Sequence, residues 1–312
     1  MTVPELTLRL TTFSADGPTD GWESIRTTAR AADAAGVDRL VLSDHVVMGE
    51  RLDAYGDPKR GGQSGGRQPT GPDGHWLDPL AVIAHVSAIT ERVRFGTNIL
   101  LAALRRPVVL AGQCATIDVL SGGRLDLGVG VGWQQEEYEA AGLSYRGRGR
   151  LLDHTLEVCQ TLWRDDVAAH DSPELSFEGI HQQPKPVQPG GVPIWVSGTV
   201  NPRSMRRLAR FGSGWIPWGA DAADLAASIP RMRDAVAEQG GEPDGIGVVG
   251  SLKTVTRYDR SIDAAATVAP VAAAVAHGVT AFHTSVALPA DVDDAVAVLE
   301  PLVAAFRSAA DD

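Results

Sequence analysis

The 312-residue chain predicts a (β/α)8 barrel, and three observations carry that prediction. Short apolar runs alternate with helix-period segments, the pair recurs eight times, and the length suits one large barrel with insertions rather than an open doubly wound sheet. Strands are expected near 6–13, 38–43, 93–99, 124–130, 193–198, 214–218, 247–255 and 279–285. Helices are expected near 21–35, 78–90, 107–120, 149–163, 202–211, 221–239, 262–277 and 291–307. The strands are runs rather than clean alternators, as a parallel sheet covered by helices requires.

The punctuation agrees with this reading. Gly36, Gly212 and Gly278 each follow a helical run and precede an apolar one, where glycine can close the last turn in the left-handed conformation. Asp78-Pro79 and Asn201-Pro202 place a capping side chain before a proline at the first helical position. Asp20 with Glu23 resembles a capping box. The reading is one domain over 1–312, interrupted twice. Residues 46–77, rich in Gly and Pro, follow the second strand and are expected to form a lid over the catalytic face. Residues 164–192 lack helix periodicity, and Leu175-Ser-Phe-Glu-Gly179 suggests a small hairpin.

Composition sets the outer bounds. A net charge of -11 argues against a nucleic-acid partner, since a phosphate backbone would be repelled. No charged leader or membrane-length apolar run is evident, so a soluble cytoplasmic protein is expected. Cys114 and Cys159 read as buried reduced thiols. The eight histidines are scattered without ligand spacing, so no metal is expected, and His283 reads as a core histidine.

In a barrel, chemistry sits at the C-terminal ends of the strands. The second strand ends in Asp44-His45, where a carboxylate beside an imidazole can fix its tautomer for proton transfer; a purely structural pair is the competing reading. The third ends at Thr97, Asn98 and Ile99. In the fourth, Gly128, Gly130 and Gly132 alternate with Leu127, Val129 and Val131, and Trp133 follows. Glycines spaced by two clear one face so that a flat ring can approach, or else so that the barrel centre can pack tightly. The fifth ends in Ser197, Gly198 and Thr199 before the Asn201-Pro202 helix, a setting for a phosphate at a helix N-terminus, with Gly214 and Trp215 of the next strand as a wall. A ring floor with a phosphate grip is what a flavin-type cofactor needs.

These residues resemble the luciferase-like monooxygenases, the bacterial luciferase-like flavin and deazaflavin oxidoreductases. The likeness spans nearly the whole chain. Its most specific stretches are Val41-Leu-Ser-Asp-His-Val-Val47, Gly96-Thr-Asn-Ile-Leu100 with Arg106-Pro107, and Ala115-Thr-Ile-Asp-Val-Leu-Ser-Gly-Gly-Arg124 continuing to Trp133. Pro184-Lys-Pro186, Pro193-Ile-Trp-Val-Ser-Gly198 and Gly212-Ser-Gly-Trp215 complete the pattern.

The resemblance implies a barrel that binds FMN or coenzyme F420 at its mouth, with His45 as the strand-end histidine assisted by Asp44. It implies a bulge near Asn98-Ile99, often with a non-prolyl cis peptide. Val129, Gly130, Val131 and Gly132 would run along the ring, and Ser197, Gly198, Thr199, Gly214 and Trp215 would surround the phosphate. The sub-pattern is most similar to the actinobacterial F420-dependent branch, which implies hydride transfer with a small organic substrate. A two-component FMNH2-dependent monooxygenase and a non-catalytic cofactor-binding barrel are the alternatives. Trp133 stands where sugar-phosphate-oxidising relatives carry a glutamate, so it is expected to wall the substrate pocket instead. His154 replaces a usual glutamate and Ala111-Gly112 a usual Ala-Lys pair. The partners expected are a small-molecule substrate, a second copy of the chain, and a flavin or F420 reductase as electron source.

Overall fold

The computed structural model describes residues 3–58, 62 and 64–311. Eight parallel strands close into a barrel, each paired with its neighbour in chain order and the last with the first. Numbering only barrel strands, these are β1 Glu5–Arg9, β2 Arg39–Leu42, β3 Arg94–Thr97 and β4 Leu125–Val129. They continue as β5 Ile194–Gly198, β6 Gly214–Pro217, β7 Gly247–Ser251 and β8 Ala281–Thr284. The barrel helices are α1 Glu23–Ala35, α2 Pro79–Ser87, α3 Pro107–Ser121, α4 Arg148–Arg164, α5 Pro202–Phe211 and α6 Leu225–Glu238. The outer layer closes with α7 Ala264–Val268, α8 Val271–Ala276 and α9 Val292–Asp311.

The capping signals act where the sequence places them. Asp78 accepts from the Ala81 amide, Asn201 from the amides of Arg203 and Ser204, and Gly36 closes α1 at φ 82°. Gly212 differs: it leaves α5 in an extended conformation. Two expected helices are broken. The 262–277 segment stops at Ala269-Pro270, because proline supplies no amide to continue it, and restarts as α8. The 221–239 segment splits at Asp224, whose carboxylate caps the Ala227 amide and starts α6 afresh. The first strand is shorter than expected. It ends at Arg9, and Phe13–Ser14 instead pairs antiparallel with His75–Trp76, tying the end of the 46–77 insertion to the barrel rim. Within that insertion Leu52–Gly56 is a 3-10 turn, while positions 59–61 and 63 lie outside the described residues. The hairpin in 164–192 is Ala168–Asp171 with Ser176–Ile180.

The 115–124 stretch is an architectural joint. Fully buried Asp118 accepts from the amides of Val187 and Gln188 and from Gln188 Nε2, holding the returning chain against α3. Arg124 donates to the carbonyls of Ser87, Thr90 and Val93, satisfying groups along the turn from α2 to β3. Cys114 and Cys159 are buried and free, and burial pushes the Cys114 thiol up to about 12. Among the described residues no helix is long and apolar enough to cross a membrane.

Inside the barrel the packing is polar and layered. At the floor, Arg39 reaches Glu5 at 2.7 Å and Asp126 at 2.9 Å, and Arg94 reaches the other oxygen of Asp126 at 2.8 Å. Arg39 also lies over the Trp195 ring, 5.0 Å from its centroid. One level up, the Asn98 side-chain amide donates to Nδ1 of His283 at 3.0 Å. Burial, with the Arg39 and Arg9 cations behind it, pushes the His283 imidazole down to about 3. An acceptor nitrogen and a depressed basicity describe the same neutral ring.

Two outcomes follow. Asp126→Ala removes the carboxylate that Arg39 and Arg94 share and leaves Arg94 without an acidic partner there, so urea unfolding should show a loss of about 3 kcal/mol; a loss below about 1 kcal/mol would remove the floor network as a stabilising element. The unfolded chain protonates His283 near its ordinary value of 6.5, whereas the folded ring stays neutral to about 3. Stability is therefore full above 6.5 and falls as the pH drops through that window. His283→Gln should reduce the slope of stability against pH between those two values.

Candidate active site

At the C-terminal ends of the strands the barrel opens into a cavity of about 370 Å3, within the usual range for cofactor and ligand pockets. Its walls come from the ends of β1 to β6, the start of α5 and the 46–77 insertion. The insertion contributes Tyr55, Pro58, Gln68, Pro69 and Trp76. Tyr55 meets Trp133 edge-on at 5.4 Å, and Trp218 Nε1 donates to the Gly62 carbonyl at 3.1 Å, so these described residues of the insertion rest on an aromatic seat at the mouth.

His45 lines this cavity, but Asp44 does not orient it. The Asp44 carboxylate instead grips Arg105 with both oxygens, at 2.7 and 3.2 Å, and accepts the Leu101 amide at 2.8 Å. Adjacent residues on a strand end point apart, so the Asp-His dipeptide separates two tasks. The carboxylate near His45 belongs to Glu137, on the short helix Gln135–Ala140, whose Oε1 lies 3.2 Å from His45 Nδ1. Glu137 is buried, and the same oxygen accepts the Val46 amide at 2.9 Å. With Nδ1 buried toward Glu137, Nε2 is the nitrogen left for the cavity. Trp76 packs edge-on against the imidazole at 4.7 Å.

The glycine strand serves the protein's own backbone. A Cβ on Gly128 would stand 1.8 Å from the Thr97 carbonyl, one on Gly130 2.9 Å from Ile99 Cδ1, and one on Gly132 2.7 Å from Leu101 Cδ2. Gly132 also has φ 65°, which favours glycine. The three positions let the segment 97–101 press against 128–132, with Leu100 donating to the Gly128 carbonyl. The Asn98–Ile99 peptide is cis, where the resemblance implied it. Asn98, Ile99, Gly130, Val131, Gly132 and Trp133 reach the cavity. Thr97 and Val129 do not: both are buried, and the Thr97 hydroxyl donates to the Gly128 carbonyl.

At the opposite wall Ser197, Gly198 and Thr199 line the cavity with Asn201, Ser204 and Arg207. The expected free amides at the helix start are already used, because Asn201 Oδ1 accepts from Arg203 and Ser204. The Asn201 amide in turn donates to the hydroxyls of Thr199 and Ser204, leaving each hydroxyl hydrogen able to donate to an anion. Arg207 adds a guanidinium held by Asp153 and the Gly149 carbonyl. Gly214 and Trp215 stand apart. A Cβ on Gly214 would strike the Trp195 ring at 2.2 Å, and fully buried Trp215 supports the wall from behind by donating to the Gly198 carbonyl.

Sequence reasoning missed Arg9, Tyr55, Trp76, Glu137, Ser204 and Arg207. For Arg9 a signal existed: two-residue alternation from Glu5 and Thr7 faces it into the barrel. Ser204 and Arg207 lie one and two turns into a helix already expected, on its buried face. Glu137 carried no local signal, since its partner lies 92 positions earlier in the chain.

Similarity to known proteins converges on this architecture. The family model for luciferase-like monooxygenases matches residues 6–295. An uncharacterised protein of Mycobacterium tuberculosis is 33% identical over 164 residues, which cover 53% of this chain and 57% of the relative. The matched stretch is thus under two thirds of that relative's length. The oxygenase component of a flavin-dependent trigonelline monooxygenase from Acinetobacter baylyi is 33% identical over 122 residues, 38% of this chain and 34% of that protein. Among solved structures, an F420-dependent secondary alcohol dehydrogenase superposes with a TM-score of 0.73 at 16% identity, covering 97% of this chain and 99% of that one. A monooxygenase from Streptomyces bottropensis superposes at 0.69 with 19% identity, covering 96% and 98%. Both likenesses speak for the shared barrel. With the family model spanning most of its length, the chain belongs to the luciferase-like monooxygenase family.

Proposed function

We propose that the chain is an F420-dependent oxidoreductase that exchanges a hydride between the deazaflavin and a small organic substrate at the barrel mouth. The observation that carries this is the arrangement of His45, backed by buried Glu137, across one cavity from the hydroxyl and guanidinium groups of Thr199, Ser204 and Arg207. A flat ring with an anionic tail fits that donor set: Ile99 and the 130–132 backbone offer an apolar shelf, and the three donors suit a phosphate. When bound, the deazaflavin would supply hydride chemistry without oxygen activation. The dehydrogenase among the similar structures uses F420.

The remaining work falls to this chain. Glu137 lies 3.2 Å from His45 Nδ1, short of a hydrogen bond in this geometry, which leaves Nε2 to give a proton to, or take one from, the substrate oxygen as the hydride moves. Trp133 and Trp76 flank the imidazole and exclude water. The 46–77 insertion serves as a lid, and a separate reductase supplies electrons. The competing reading is a two-component FMN monooxygenase, favoured by the identity with the trigonelline enzyme.

Titration with F420 should quench its fluorescence saturably, whereas tight FMN uptake with oxygen consumption on adding FMNH2 would transfer the assignment to the monooxygenase. Gly130→Val should abolish cofactor binding by driving Ile99 into the cavity. His45→Ala should leave cofactor affinity within about threefold while slowing hydride transfer to carbonyl compounds by roughly 100-fold. Equal losses in both would make His45 structural. In a single-turnover assay Glu137→Gln should lower the rate at saturation with KM unchanged, as befits a residue that positions the imidazole.

A further inference from the structure

We infer that the substrate is an aromatic compound carrying an anionic group, a carboxylate in the simplest case, and that Arg9 is the residue that selects it. The inference rests on the proposed placement of the cofactor along Ile99 and the 130–132 backbone, which leaves the β1 side of the cavity to the substrate. Arg9 is the last residue of β1 and continues the inward-facing series Glu5, Thr7. Glu5 spends its charge on Arg39 at the floor, and Thr7 is buried. Arg9 emerges into the mouth and lines the cavity. Its cation is felt by both the Tyr55 phenol and the His283 ring, which places it between the insertion and the barrel interior.

The charge balance of the walls singles this residue out. Asp44 is neutralised by Arg105, and Arg207 by Asp153. Among the described residues the Arg9 guanidinium makes no hydrogen bond or ion pair. An exposed cation on the cavity rim, with no protein anion to answer it among the described residues, is matched by an anionic ligand presenting two oxygens to its planar fork. The neighbouring surface sets the remainder of the ligand. Phe13 stacks on Trp76 at 4.4 Å, and Tyr55, Trp133 and Trp218 continue the same aromatic wall around His45. Aromatic faces favour a flat, unsaturated body through offset and edge-on contacts. A ring and an anionic arm are thus both provided for, with His45 beside them to serve the reacting oxygen.

The test is a calorimetric titration of the protein, loaded with whichever of F420 or FMN it retains, with benzoate and phenylacetate against benzamide and phenylacetamide, and with acetate as the ring-free anion. The acids should bind at least about tenfold more tightly than their amides, as one charge-assisted pair predicts; acetate should bind more weakly than either aromatic acid. In Arg9→Gln the acid-to-amide ratio should fall to near one, and in Arg9→Lys it should be partly kept. The same variants should retain cofactor affinity and thermal midpoint. Equal affinity of acid and amide in the parent protein would overturn the inference. So would a loss of cofactor affinity in Arg9→Gln with the ratio intact, which would assign the cation to the cofactor. If neither cofactor binds, the titration on the protein alone still reads the ratio, so the cofactor assignment can fail while acid selectivity stands, or the reverse.

Discussion

The close approach of the 97–101 segment to the 128–132 strand is the constraint on which the site depends. Two backbones come together because three side chains are missing on one of them, and each vacancy is filled by a group from the other. Filling Gly128 would drive the Thr97 carbonyl out of the ladder; filling Gly130 or Gly132 would drive Ile99 or Leu101 toward the mouth. The Asp44 carboxylate then fastens this arrangement to β2 by catching the Leu101 amide and Arg105 together. His45 follows Asp44 in the chain, so its position is set by the clamp before its own partner Glu137 acts on it. Shelf, clamp and imidazole are one mechanical unit.

The barrel interior adds an electrostatic order along its axis. The floor carries a closed set in which Asp126 serves both Arg39 and Arg94, and Glu5 serves Arg39 again. Above it sits a neutral layer, the amide of Asn98 against an imidazole that burial keeps unprotonated. At the rim an inward-facing strand residue, Arg9, has no ion-pair partner among the described residues. A charge inside a protein is costly unless paired, so the floor had to be balanced internally, whereas Arg9, exposed at the rim, is solvated until a ligand answers it. The same rule separates Arg207, which Asp153 holds rigid as part of the wall, from Arg9.

Much of the fold was legible because its signals are local. Apolar runs, glycine after a helix and a capping side chain before proline each act within a few residues; seven of the eight barrel strands fall within the predicted segments, and the first starts one residue early, at Glu5. The misses were local as well: Pro270 and Asp224 each break a helix for reasons visible in the sequence but outvoted by periodicity. The site was legible only as far as strand ends define it. Asp44 and His45 were found, but their partners Arg105 and Glu137 lie 61 and 92 positions away, and chain spacing carries no trace of such pairings. Trp215 misled because a strand's two faces look alike in a run without alternation; its ring lies behind the wall it was expected to form. The glycines were read for the space they open; the structure fills part of it with Thr97, Ile99 and Leu101 and leaves Gly130 and Gly132 on the cavity wall.

That last correction alters how the mouth should be understood. If the glycines cleared room directly for a ring, the cavity floor would be a property of β4 alone. Because they also clear room for Ile99 and Leu101, the surface a ligand meets is shared between the 130–132 backbone and a second segment pressed against it. Specificity can then be tuned at 99 and 101 without touching the glycines, while a change at any glycine alters the shelf through its neighbour. The aromatic wall behaves differently, since Phe13, Tyr55 and Trp76 come from rim segments held by a two-residue strand pair and by edge contacts. A rigid shelf for the constant partner and a lightly held wall for the variable one is the division of labour that a cofactor enzyme needs: the reacting ring must not move, and the substrate must be able to enter.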